Sequence, residues 1–178
     1  DQEIEDSLFR QAECLSRNLE KHLLANHLWA NAKALLLAGY FFRGETAQKW
    51  RLEGRKLLKA QLQEQFLPDG GHVERSPMYH LILLEDCLDL LSLLPEKDPL
   101  QQDIREVTGR ALRFLAGILL PDGRIPLLGD SAWGQGPAAS QIFAYARRCG
   151  FSVEELPHEG MFVAPDSGIA RLQVGDWC

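Results

Sequence analysis

The sequence predicts an all-α chain, a partial α/α toroid of repeated helical hairpins, with a short β segment at the C-terminus. Three observations carry this. Apolar residues recur at spacings of three or four over most of the length. Striped segments alternate with segments that are apolar on nearly all sides. The tetrapeptide Leu67-Pro68-Asp69-Gly70 returns 53 residues later as Leu120-Pro121-Asp122-Gly123, which marks a repeated unit.

The first element spans residues 3–24, with Ile4, Leu8, Ala12, Leu15, Leu19 and Leu23 on one stripe, which predicts an outer amphipathic helix. Residues 27–43 have Asn31 and Lys33 as their clear polar interruptions and so predict an inner helix surrounded by protein. Residues 45–66 return to a stripe through Ala47, Trp50, Leu57, Leu58, Leu62 and Phe66. Residues 77–94 are again almost wholly apolar, and residues 99–119 revert to a stripe. A shorter helix is expected over 138–149. Three hairpins make an arc, not a closed ring. After Pro157 the pattern changes to two short strands around Pro165-Asp166-Ser167-Gly168. Two strands alone are too few for a stable sheet. The expected division is therefore 1–156 for the helical domain and 157–178 for the start of a β domain that continues beyond this chain.

Composition bounds the function. The 178 residues, 46% hydrophobic and 25% charged, suit one folded domain with a real core. A net charge of -6 argues against general nucleic-acid binding, which needs a broad basic surface, but leaves room for a local anion site. No apolar run reaches bilayer length. The chain opens at Asp1, as a processed or truncated product would, so a targeting segment need not be visible. Cys14, Cys87, Cys149 and Cys178 are far apart and lack metal-ligand spacing, so no metal site is expected. Cys14 and Cys87 read as core residues.

Polar chemistry gathers at the mouths of the two inner helices. Asn26-His27 opens one, and Asp69-Gly70-Gly71-His72-Val73-Glu74-Arg75-Ser76-Pro77-Met78-Tyr79-His80 leads into the other. Asn26 and Tyr79 are 53 residues apart and so fall at equivalent places in the repeat. Ser76-Pro77 is a good helix start, a capping hydroxyl before a proline at the first helical position. Each residue also has a plain structural reading. Asn26 serves equally as a helix cap and Tyr79 as a core aromatic. His72 and His80 are equally surface or satisfied core histidines. Glu74 and Arg75 can pair with each other, and Asp130-Ser131 can cap the next helix. Arg75 and Arg124 alone do not make a sulfate site.

Asn26-His27-Leu28, the stretch from Gly44 to Trp50, residues 69–80 and Pro126-Leu127-Leu128-Gly129-Asp130-Ser131 together resemble the heparinase II/III family and alginate lyases of the same architecture. The likeness covers most of residues 20–135. It implies an α/α toroid followed by an antiparallel β domain, and a polysaccharide lyase that cleaves uronic-acid polymers, glycosaminoglycan or alginate, by β-elimination. It implies that Asn26 and His27 neutralise the uronate carboxylate and that Tyr79 gives a proton to the leaving glycosidic oxygen. His72, Glu74, Arg75 and His80 are the candidate substrate-binding residues of the same segment, and the two imidazoles are candidates for the base at C5. No cofactor is implied. The expected partners are an acidic polysaccharide and the remaining β domain of the same polypeptide, in a periplasmic or secreted location. A tyrosine suits the acid role because a phenol, with an ordinary pKa of about 10, holds its proton at neutral pH. The alternative is a non-catalytic acidic-polysaccharide-binding or exopolysaccharide-assembly protein. A glycoside hydrolase would need two paired carboxylates, and nothing pairs Asp69, Glu74 and Asp130.

Overall fold

The computed structural model describes residues 1–23, 26–153 and 159–175. Among them are six helices and one antiparallel hairpin: α1 (Gln2–Arg17), α2 (Asn26–Phe41), α3 (Glu45–Gln65), α4 (Pro77–Leu93), α5 (Leu100–Ile118), α6 (Ala139–Arg148), β1 (Gly160–Ala164) and β2 (Ile169–Gln173). They fall into two compact units, Asp1–Gln63 and Glu64–Cys178. The hairpin therefore groups with α4–α6, because α5 supports both strands.

In the first unit α1 packs on α2. Ala12, Leu35 and Trp50 form a buried cluster, with Phe9 edge-on to Phe42 at 5.3 Å and tilted against Trp50 at 4.9 Å. Asp1 caps α1 by accepting from the Glu3 N–H. The helix ends at Arg17, earlier than the sequence stripe suggests. Asn18 accounts for this: its backbone N–H donates to Leu15 and its side-chain amide donates to the Cys14 carbonyl at 2.8 Å, satisfying last-turn acceptors locally. Leu19 still packs against the cluster from outside the helix. Cys14 is exposed, which corrects its reading as a core residue, whereas Cys87 is fully buried. Cys178 lies outside the described residues. Helices α2 and α3 approach closely through glycines, since a Cβ on Gly39 would strike the Arg51 backbone and one on Gly54 the backbone of α2.

In the second unit α4 is buried on most sides, including Leu83, Leu84, Cys87, Leu88 and Leu90 at 1% exposure or less, as its unbroken apolar sequence requires. It packs chiefly on α5 and also on α6. The hairpin pairs Met161 with Leu172 and Val163 with Ala170. Its inner side is the less apolar one. Ile169, Arg171 and Gln173 face inward, Gln173 is buried, and Arg171 Nη1 donates to the Leu119 carbonyl at 2.7 Å. Met161, Val163, Leu172 and Val174 point outward and are 51% to 73% exposed.

The recurring Leu-Pro-Asp-Gly turns have the same bonds. In the first, the Leu67 N–H donates to Gly71, the Gly70 N–H to Leu67, and Asp69 Oδ1 accepts from the Gly71 N–H. In the second, the Leu120 N–H donates to Arg124, the Gly123 N–H to Leu120, and Asp122 Oδ1 accepts from the Arg124 N–H. Gly70 and Gly123 both take positive φ, 92° and 77°, which is why the fourth residue is glycine.

Candidate functional site

Each sequence-predicted site residue has a distinct setting. Asn26 begins α2 and is half-buried, while His27 in its first turn is exposed. His27 Nδ1 lies 3.6 Å from Glu20 Oε2. That carboxylate is held by the buried Asn31, whose amide donates to Glu20 Oε2 at 3.1 Å and whose carbonyl accepts from the Glu20 N–H at 2.9 Å. These residues belong to the first unit. Tyr79 and the 69–80 segment belong to the second.

The start of α4 is built by two hydroxyls. Ser76, 2% exposed, accepts from the Tyr79 N–H at 3.4 Å, and Pro77 occupies the first helical position. Ser131 accepts from the Met78 N–H at 3.2 Å and lies 3.0 Å from the Ser76 hydroxyl, so one hydroxyl donates to the other. Residues 69–80 and 128–131, separate in the sequence, thus meet at one helix mouth. Ser131 caps α4, the helix before it, and not the helix after it. Tyr79 stands in the first turn of α4, half-buried, its phenol without a hydrogen-bond partner among the described residues.

His72 and His80 are each 1% exposed, so of their two plain readings the structure shows the core histidine. His80 Nε2 must be the protonated nitrogen, because it donates to the Ala111 carbonyl at 3.0 Å. Its ring packs on Phe114 at 5.0 Å and on Phe66 at 6.3 Å. His72 Nε2 meets Gln65 Oε1 at 3.0 Å, and a short bridge pairs Phe66 with His72. Burial drives the His72 pKa down to about 3, with further repulsion from His80. Burial likewise drives His80 down to about 4, against the opposing pull of the Ala111 carbonyl and Asp69. Both are neutral internal supports at ordinary pH. Both face the core and not solvent.

Glu74 is half-buried, its carboxylate 3.9 Å from His72 Nε2. Arg75 is exposed, and its guanidinium has no partner among the described residues. Its φ of 54° is left-handed, a strained setting for a long side chain, fixed by its N–H donating to the His72 carbonyl at 2.9 Å. Asp69 secures the other end of the segment. It accepts from the Ser167 N–H at 2.6 Å and the Ser167 hydroxyl at 2.7 Å. Burial acts to raise its pKa, but hydrogen bonds from Gly71, Ser167 and Asp166 together hold it below the usual carboxylate value.

No motif or spacing marks Trp133, whose one signal in the sequence is a lone aromatic in a Gly- and Pro-rich stretch, 126–138. The indole is 48% exposed, and its N–H donates to the Ile125 carbonyl at 3.1 Å. The Arg124 guanidinium lies over the ring, 4.0 Å from its centre, and Arg124 Nε donates to Asp122 at 2.6 Å. Beside this stack runs a cleft of about 310 Å³ whose lining includes Met78 and Leu81 of α4. No group of three or more His, Cys, Asp or Glu side chains suited to a metal occurs among the described residues. No helix there is long and apolar enough to cross a membrane.

Residues 5–149 match the family model described as Heparinase II/III N-terminus. The chain is 28% identical over 134 residues to a heparin-sulfate lyase of Pedobacter heparinus, covering 72% of this chain and 20% of that protein. It is 27% identical over 110 residues to a heparin-sulfate lyase of Bacteroides stercoris, covering 60% and 16%. A crystal structure of heparinase III superposes with a TM-score of 0.56 at 26% identity, over 64% of this chain and 18% of that one. The heparan sulfate lyase HepC from Pedobacter heparinus shares the fold at TM-score 0.59 and 23% identity, over 90% and 27%. The chain therefore spans about a fifth of the length of the curated relatives it matches. Its fold is the expected one, all-α with a partial α/α toroid and a short C-terminal β segment. By the match over residues 5–149, the chain belongs to the heparinase II/III family.

Proposed function

We propose that this chain is the helical part of a polysaccharide lyase that cleaves uronate-containing glycosaminoglycans by β-elimination. The observation that carries the reading is Tyr79, a half-buried phenol with no competing hydrogen bond among the described residues, fixed in the first turn of a doubly capped helix in a heparinase II/III family chain. In the reaction a base removes the proton at C5 of the uronate. The electron pair forms the C4–C5 double bond as the C4–O4 bond breaks, and Tyr79 gives its proton to O4. Asn26 and His27 donate hydrogen bonds to the uronate carboxylate and stabilise the charge that builds there. Arg75 supplies a further cation for the polymer. His72, Glu74 and His80 act indirectly, by holding the segment that carries Arg75 and Tyr79. The base belongs to another part of the polypeptide, in the β domain that continues the hairpin. A periplasmic or secreted location goes with such a substrate.

A binding-only role in acidic-polysaccharide handling is the second reading, favoured by the buried, neutral state of His72 and His80. One assay separates the two. The full-length protein is incubated with heparan sulfate, heparin, alginate and other uronate polymers, and the near-ultraviolet absorbance of unsaturated uronate is followed. The lyase reading expects rising absorbance with at least one polymer, lost by about a hundredfold or more in Tyr79→Phe and strongly reduced in Asn26→Ala, with an unchanged fold. Measurable binding without any unsaturated product would replace it with the binding role.

A further inference from the structure

We propose that Trp133 and Arg124 form a separate subsite for one anionic sugar ring, a pyranose bearing carboxylate or sulfate, alongside the first turn of α4. The inference rests on the glycosaminoglycan reading for the identity of the polymer, and on the second unit alone for its geometry. A pyranose has apolar C–H faces and a polar rim, so a site for it combines a flat aromatic surface with a few fixed polar groups. One face of the Trp133 indole carries the Arg124 guanidinium, and the part of Trp133 that lines the cleft supplies the surface. Its N–H is already committed to the Ile125 carbonyl, which sets the ring's orientation, and nearly half of the residue remains exposed.

Arg124 supplies the charge. Its guanidinium is held over the indole at 4.0 Å and is ion-paired with the exposed Asp122 through both Nε and Nη2, which orients it and leaves Nη1 to meet a ligand. Nη1 keeps its N–H groups without a partner among the described residues, a requirement that a carboxylate or sulfate meets. The adjoining cleft, about 310 Å³, is at the small end of ligand clefts and fits a sugar unit better than a folded partner. Met78 and Leu81 of α4 line that cleft, so the subsite lies against the same helix that carries Tyr79.

The test reads binding, not turnover. The chain is titrated with a heparan-sulfate tetrasaccharide, its desulfated N-acetylated counterpart and neutral cellotetraose, while the indole N–H resonances of its 4 tryptophans are followed by NMR. Trp133→Phe assigns the Trp133 resonance. The Trp133 resonance is expected to shift saturably with both acidic sugars and not with cellotetraose. Trp133→Ala and Arg124→Gln should each weaken acidic-sugar binding about tenfold or more, and Trp133→Phe by no more than about threefold. Tighter binding of the sulfated sugar assigns the anion as sulfate, and equal binding assigns it as carboxylate. The proposal is overturned by acidic-sugar binding within about twofold of the parent in both Trp133→Ala and Arg124→Gln, by equal binding of cellotetraose, or by no binding at all. Failure of the lyase reading looks different: the Trp133 shift persists while no unsaturated product forms.

Discussion

The two Leu-Pro-Asp-Gly turns are the same backbone put to different use. Both close through the same three hydrogen bonds and both place glycine at positive φ. They differ in what their aspartates do with the remaining oxygen. Asp69 reaches across to the hairpin and binds Ser167, whereas Asp122 turns back onto its own neighbour Arg124 and aims that guanidinium over Trp133. The residue two past each turn's glycine also differs. It is a buried imidazole, His72, in the first and a buried aliphatic, Ile125, in the second. A repeat in sequence thus fixes a local backbone. The load each copy bears is set by what packs on it.

The largest effect that tests this contrast is acid. His72 and His80 are neutral in the fold, with pKa values of about 3 and 4 against 6.5 when unfolded. The unfolded chain therefore binds more protons below pH 6.5. Stability is full above that value and declines as pH falls toward 4 and then 3, by roughly 1.4 kcal/mol per pH unit for each imidazole. Urea midpoints should show a loss on the order of 5 kcal/mol by about pH 4.5. His72→Leu, which imitates the second turn, should roughly halve that slope, and an unaltered slope would remove the imidazoles as its cause.

The glycines come next. A Cβ on Gly70 would meet the Arg110 carbonyl in addition to the unfavourable φ, whereas one on Gly123 meets nothing within 4 Å. Gly70→Ala should cost about 3 to 4 kcal/mol in urea unfolding and Gly123→Ala about 1 kcal/mol. Equal costs would show that the first turn is no more tightly packed than the second. For the aspartates, Asp69→Ala should lose about 2 to 3 kcal/mol with the bonds it accepts from Gly71 and Ser167. Asp122→Ala should leave the midpoint near that of the parent, since its partners are in solvent. The smallest effect is at the cap. Ser131→Ala should cost about 1 kcal/mol and speed amide exchange in the first turn of α4, while leaving exchange in α6 unchanged.

Among the described residues, the six helices, both strands and the turn between them are legible from apolar spacing and turn residues, and the Ser76 cap is legible from Ser-Pro. Other features depend on tertiary contacts that no local pattern encodes. The burial of His72 and His80 is set by Gln65, Ala111, Phe66 and Phe114, each distant from its partner or on another element. Ser131 has the sequence of a cap for the next helix, and only the fold brings it to Met78, 53 residues earlier. In the hairpin, alternation shows two faces but not which one is inside. Here Arg171 and Gln173 turn inward because the Leu119 carbonyl and the hairpin's own backbone offer them acceptors. Trp133 and Arg124 are nine residues apart in a loop, a spacing that carries no periodicity to read.

The bond from Ser167 to Asp69 gives the hairpin a mechanical part. Its outer face, with Met161 and Leu172, is open and apolar, while its turn is fastened to a carboxylate ten residues ahead of Tyr79. Two short hydrogen bonds therefore tie the hairpin's turn to the loop that ends at the phenol, and neither can shift far from the other while those bonds hold.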